Sequence, residues 1–135
     1  MAFVMEGTRQ SELEAILGGL ADELPNPHWV ALVDLDGLVL ACVPADPEID
    51  SDRISAMTAV VVLMSERVLG EIEGGRFRYI TVGGSNRLQL TVALNRERLL
   101  SVGLNPDVPP HVAFKPLSRW GPKIISALQA RYGDR

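Results

Sequence analysis

The sequence predicts an α+β domain in the order helix, two strands, helix, three strands, helix, on three observations. Apolar residues recur at helical spacing as far as Leu24, then change to the runs and alternation of strands from Trp29 onward. The pair Asp36-Gly37 separates two apolar runs, as a hairpin turn does. The stretch from Asp52 to Ile72 is too long for a strand and is apolar nearly all round, as a helix buried on more than one side is.

The first helix is expected to begin at Ser11, whose hydroxyl with Glu14 three residues on has the spacing of a capping box. Leu13, Ile16, Leu17, Leu20, Ala21 and Leu24 form its buried stripe, and Pro25 stops it. Strands one and two flank Asp36-Gly37, with both turn residues expected at positive φ. Their nearly continuous hydrophobicity, Trp29 to Leu35 and Leu38 to Val43, implies cover on both faces. An acidic loop follows, and Asp50 or Ser51 is placed to cap the second helix. Along that helix Ile54, Met57, Val61, Met64 and Val68 form one seam, while Ala59, Val62 and Leu63 project elsewhere. The sheet of so small a chain covers one side only, so the exposed seam reads as a subunit interface.

Gly74-Gly75 closes the second helix. Strand three is expected over Arg76 to Val82, with Phe77, Tyr79 and Thr81 on one face and Arg78, Ile80 and Val82 on the other. Strand four alternates from Leu88 to Leu94, and strand five runs from Leu99 to Leu104. A Pro-rich loop, Asn105 to Pro116, then leads to a last helix entered at Gly121-Pro122, with Ile124, Ile125, Leu128 and Tyr132 inward. The chain reads as one unit: an N-terminal segment over 1–10, a core over 11–104, and the Pro-rich loop with the last helix over 105–135 packed on the same domain.

Composition narrows the function classes. Of the 135 residues 47% are hydrophobic and 22% charged, which is globular rather than disordered. With 13 Lys and Arg against 17 Asp and Glu the net charge is −4, and no basic cluster in the sequence offers phosphate neutralisation to nucleic acid. A single cysteine, no basic and apolar leader, and no run long enough to span a bilayer lead us to expect a soluble cytoplasmic protein without a membrane span.

No catalytic signature emerges, and no metal or cofactor is expected. His28 and His111 read as loop histidines, lacking a second ligand at metal spacing. Cys42 lies in an apolar strand without a base to activate it. The series Asp46, Glu48, Asp50, Asp52 fails as a calcium loop, because Ser51 stands where Gly is required and Met57 where Glu is required. Phosphate-loop and nucleophile-elbow patterns are lacking, and no convergent polar residues mark a ligand cavity.

Ala31-Leu-Val-Asp-Leu-Asp-Gly-Leu-Val-Leu-Ala41, then Asp52 to Ala59 leading into Ser65-Glu66-Arg67, then the strands around Tyr79 to Val82 and Leu88 to Leu94, resemble the roadblock/LC7 family. The resemblance implies a profilin-like five-stranded antiparallel sheet, with the second helix on one face and the terminal helices on the other. It further implies a dimer, homo- or hetero-, in which second helices meet and third strands pair. The interface would then comprise Ile54, Met57, Val61, Met64, Val68, Phe77, Tyr79 and Ile80. Bacterial and archaeal members commonly act with small Ras-like GTPases, and eukaryotic ones serve as dynein light chains or lysosomal scaffolds. The expected function is therefore a non-enzymatic homodimer that binds such a GTPase through Arg53, Thr58, Ser65 and Glu66, with the acidic loop steering association. A scaffold without effect on hydrolysis and a small-ligand sensing domain are the alternatives. The Pro-rich loop and extended last helix depart from short family members.

Overall fold

The computed structural model describes residues 2–132, with side chains described for 10–130. Its elements are α1 (Ala2–Asp22), β1 (Trp29–Asp34), β2 (Val39–Val43), α2 (Ser51–Glu71), β3 (Tyr79–Gly83), β4 (Leu88–Ala93), β5 (Arg98–Leu104) and α3 (Phe114–Tyr132), the last preceded by a 3-10 turn at Pro110–Ala113. The five strands form one antiparallel sheet in the order β2-β1-β5-β4-β3. The predicted α+β class and element order are those observed.

Strand β1 is apolar on both faces because both faces are covered, and β5 is apolar on the face toward α1 and α3. Leu32 and Leu100, directly paired, point with Val30, Leu90 and Val102 into a core closed by Leu13, Leu17 and Leu20 of α1 and Ile124 and Leu128 of α3. Trp29, Ala31, Val33 and Leu99 point the other way, onto Ile54 and Val62 of α2. Alternation along a strand sends neighbouring residues to opposite faces, so a strand sandwiched between helices must read as an unbroken apolar run.

Several local expectations are corrected. The first helix starts at Ala2, not at Ser11: no proline interrupts the preceding residues, so Ser11 and Glu14 lie inside the helix rather than at its cap. The hairpin forms, but only Gly37 has positive φ, +85°; Leu35, Asp36 and Gly37 make the loop, and the Asp34 carboxylate accepts from the backbone N–H of Asp36 and Leu38 at 2.9 and 3.0 Å. At the end of α2 the left-handed residue is Glu73, at φ 53°, and Gly74 N–H donates back to the Leu69 carbonyl at 2.8 Å, as in a Schellman motif.

Strand β3 begins three residues later than expected, because Phe77 leaves the strand path and buries itself among Val62 and Leu99 on the α2 side. Phe77 and Tyr79 therefore do not share a face: Tyr79 meets Phe114 of α3 edge-on, ring centroids 5.0 Å apart. The last helix is also longer than expected. It starts at Phe114 and carries Pro122 within it, so Gly121-Pro122 is not its entry and the Pro-rich loop ends well before Pro116. Pro122 deprives the Ser118 carbonyl of its helical donor, and the helix persists because Leu117, Ile124, Ala127 and Leu128 are buried against the core. The expected inward position of Tyr132 lies outside the described side chains.

Candidate interaction surface

Helix α2 positions the candidate site. Asp50 starts it, accepting from the Asp52 N–H at 3.1 Å, and the helix then crosses β2, β1 and β5. Its sheet-facing side is Ile54, Ser55, Thr58 and Val62, all buried. Two of these four are polar, and each is satisfied. Ser55 Oγ donates to the Asp52 carbonyl at 3.0 Å; Thr58 Oγ1 donates to the Ile54 carbonyl at 2.7 Å and accepts from Gln89 Nε2 at 2.9 Å. The same Gln89 nitrogen donates to Ser101 Oγ at 2.7 Å, which also accepts from Trp29 Nε1 at 3.1 Å. A polar chain thus fastens the helix to β4, β5 and β1, and its full pairing is what makes burial tolerable.

The outward side of α2 is apolar and uncovered. Met57, Met64 and Val68 are 56%, 53% and 57% exposed, with Val60, Leu63 and Ile72 exposed beside them. Met57, Val61, Met64 and Val68 follow one another at steps of four, three and four, which aligns them along one side of the helix. Among the described residues strand β3 pairs with β4 alone, so its other edge presents unpaired backbone, and Tyr79 and Val82 of β3 are exposed. Monomeric proteins rarely leave this much contiguous apolar surface together with an open strand edge.

The expected site residues thus separate into two sets. Met57, Met64 and Val68 on α2 are exposed and Val61 is half-buried; on β3, Tyr79 is exposed on the α3 side and Ile80 is half-buried against the α2-side core. Ile54 and Phe77, 5% and 8% exposed, belong to the α2-side core, and Thr58 is fully buried beneath the helix. Arg53 and Glu66 are exposed, whereas Ser65 is half-buried with its hydroxyl donating to the Val61 carbonyl at 2.7 Å. Sequence reading missed Val60 as an exposed member. It also missed the polar underside of α2, although Thr58 stands four residues from both Ile54 and Val62 and so had to share their side.

Beside the C-terminal half of α2 the sheet end forms a cleft of about 650 Å³ lined by Arg76, Arg78 and Arg96. Three arginines lining one cleft are not legible in the sequence, since Arg96 is remote from the other two. In the acidic loop Glu48 pairs with Arg87 at 3.6 Å while Asp50 caps α2. Among the described residues no group of three or more acidic, His or Cys side chains is arranged to hold a metal, and no helix is long and apolar enough to cross a membrane. His28 is held by its backbone N–H to the Gly103 carbonyl at 2.7 Å, and His111 is exposed in the 3-10 turn.

Cys42 is buried against α2, and burial raises its thiol from the ordinary 9.0 to about 11. The unfolded thiol ionises first as pH rises, so the contribution to stability is complete below pH 9 and is lost as pH rises toward 11. At neutral pH we expect Ellman's reagent to leave the folded chain unmodified over a time in which the urea-unfolded chain reacts completely. Equal rates would show an accessible thiolate.

Residues 15–103 match the Roadblock/LC7 domain family, which is most of the chain. The chain belongs to the Roadblock/LC7 family. Solved structures agree on the fold of this Roadblock/LC7 domain. A Roadblock/LC7 domain from Streptomyces avermitilis has 17% identity and a TM-score of 0.75, covering 86% of this chain and 97% of its own. MglB of Myxococcus xanthus has 15% identity and a TM-score of 0.77, over 88% of this chain and 96% of its own. Profilin IA of Acanthamoeba castellanii has 14% identity and a TM-score of 0.52, over 87% and 96%. At these identities the likeness is one of fold. No curated protein sequence matches the chain significantly.

Proposed function

We propose that this Roadblock/LC7 domain is a non-enzymatic homodimer that binds a small Ras-like GTPase and modulates its nucleotide cycle. The observation that carries the reading is the uncovered apolar side of α2 together with the free edge of β3. A second copy related by a two-fold axis buries both at once, because an isologous contact sets the same stripe and the same strand edge against themselves. Met57, Val61, Met64 and Val68 form the centre of that interface; Tyr79 and Ile80 lie on the strand that pairs.

The GTPase then meets a composite surface built from two second helices, since one helix alone offers too little area for a standard interface of about 800 Å² per partner. Arg53 and Glu66, exposed at opposite ends of α2, are its polar contacts, with Ser65 at its margin. Thr58 acts beneath this surface, holding the helix to the sheet. Stimulation of hydrolysis works by ordering the GTPase's own catalytic residues. The acidic loop Asp46 to Asp52 steers association in a salt-sensitive way.

The test is affinity capture from host lysate in each nucleotide state, followed by a hydrolysis assay with the recovered GTPase. Faster turnover with the dimer supports regulation. Binding with unchanged turnover makes the domain a scaffold, and recovery of no GTPase in either state rejects the partner class.

A further inference from the structure

We propose that the cleft at the C-terminal end of α2 binds a small polyanion carrying an apolar or aromatic group, the class of a nucleoside polyphosphate. Its volume, about 650 Å³, lies inside the range of small-molecule sites. Arg76 and Arg78 enter from the segment leading into β3, and Arg96 enters from the turn between β4 and β5. Arg87, Arg98 and Arg119 each lie beside a carboxylate, but none of these three does among the described residues. In a chain with 17 acids to 13 bases, three unneutralised guanidinium groups on one concave surface are a local reversal of charge.

Among the described residues Glu66 is the only carboxylate lining the cleft, so their charges sum to three minus one, or +2. Guanidinium forks match phosphate oxygens in shape and charge, which favours phosphate over a compact monovalent anion. Apart from Glu66 and Asn95 the rest of the lining is apolar and includes half-exposed Leu35 and the ring of Phe77. A ligand with phosphates at the rim and a ring toward Phe77 uses both features; inorganic phosphate alone uses one. The cleft is lined within a single chain, so filling it does not require dimerisation, and of the proposed GTPase contacts it shares Glu66 alone.

Calorimetric titration of the full chain with ATP, without added divalent cation, tests the site. We expect saturable binding of one ATP per chain. The variant Arg76→Gln/Arg78→Gln should weaken it about tenfold or more, since charge-assisted hydrogen bonds are lost. Glu66→Gln should tighten it several-fold by removing the opposing charge, and tripolyphosphate should bind more weakly than ATP. All three residues are exposed, so the variants keep the fold. Lys115→Gln/Lys123→Gln on α3 removes the same charge away from the cleft. Equal loss in that variant means diffuse electrostatics and overturns the site, as does the absence of saturation at millimolar ATP. Tripolyphosphate binding as tightly as ATP overturns the ligand class. Either failure leaves the dimeric reading of α2 unaffected.

Discussion

Replacing Met57 and Met64 together by glutamate is expected to convert the proposed dimer into a folded monomer. Both side chains are more than half exposed in the single chain, at 56% and 53%, so carboxylates there remain hydrated and the monomer pays no desolvation. In the proposed dimer the same positions would lie at the centre of the two-helix contact, where four carboxylates would be buried close together without partners. The effective penalty is several kcal/mol per ion, so an increase of roughly a thousandfold or more in the dimer dissociation constant is expected. Sedimentation velocity reads the mass, and circular dichroism checks that helix and sheet persist. A variant that sediments as the wild type does, with unchanged circular dichroism, removes α2 from the interface. A monomeric variant that binds a GTPase as well as the dimer does refutes the composite surface.

The second large effect concerns stability. Gly103→Ala places a Cβ 2.6 Å from three atoms of the Trp29 ring, well inside van der Waals contact. Neither side can yield easily. Gly103 sits in β5, paired to Trp29 of β1 on one edge and Gln89 of β4 on the other. The indole is only 6% exposed, bonded through Nε1 to Ser101 and covered by the Arg87 guanidinium 5.7 Å from the ring centroid. Moving the ring breaks its hydrogen bond to Ser101, the first link of the polar chain that runs on through Gln89 to Thr58 of α2. Overpacking and one lost buried hydrogen bond together should cost about 2–4 kcal/mol. Urea unfolding followed by circular dichroism measures it, and a loss under about 0.5 kcal/mol, the range of an ordinary surface substitution, would show that the sheet accommodates the methyl group.

Much of this architecture is legible in the amino-acid order because it rests on local periodicity. The step from Leu13, Leu17 and Leu20 at helical spacing to the unbroken run Trp29 to Val33 determines a helix followed by a strand covered on both faces. The same reasoning finds in Met57, Val61, Met64 and Val68 a stripe that the sheet of one chain leaves bare. Capping of α2 by Asp50 is equally local, since donor and acceptor are two residues apart. The turn Leu35 to Gly37 is legible as a turn but not as a type, because the choice lies with the Asp34 carboxylate and with α2, whose Ala56 Cα would lie 3.4 Å from a Cβ at Gly37.

Tertiary structure alone decided which side of α2 faces the sheet. A helix apolar nearly all round hides its inward direction, and two of its four buried positions are Ser55 and Thr58. Thr58 is buried because Gln89, thirty-one residues away, meets it there. Ile54 and Phe77 likewise have the composition of an interface and the location of a core, since β5 sets Leu99 in the same core cluster as both. The length of α3 across Pro122 comes from burial of Leu117 on one side of the proline and Ile124 on the other, a gain that outweighs a lost backbone hydrogen bond. The arginine cleft depends on the pairing of β3 with β4, which brings the segment before β3 to the turn holding Arg96. Sequence by itself determined the kinds of element and their order, because helix and strand periods are properties of neighbouring residues. Which residues meet was decided only by strand pairing and helix docking, because those energies are summed over residues far apart in the chain.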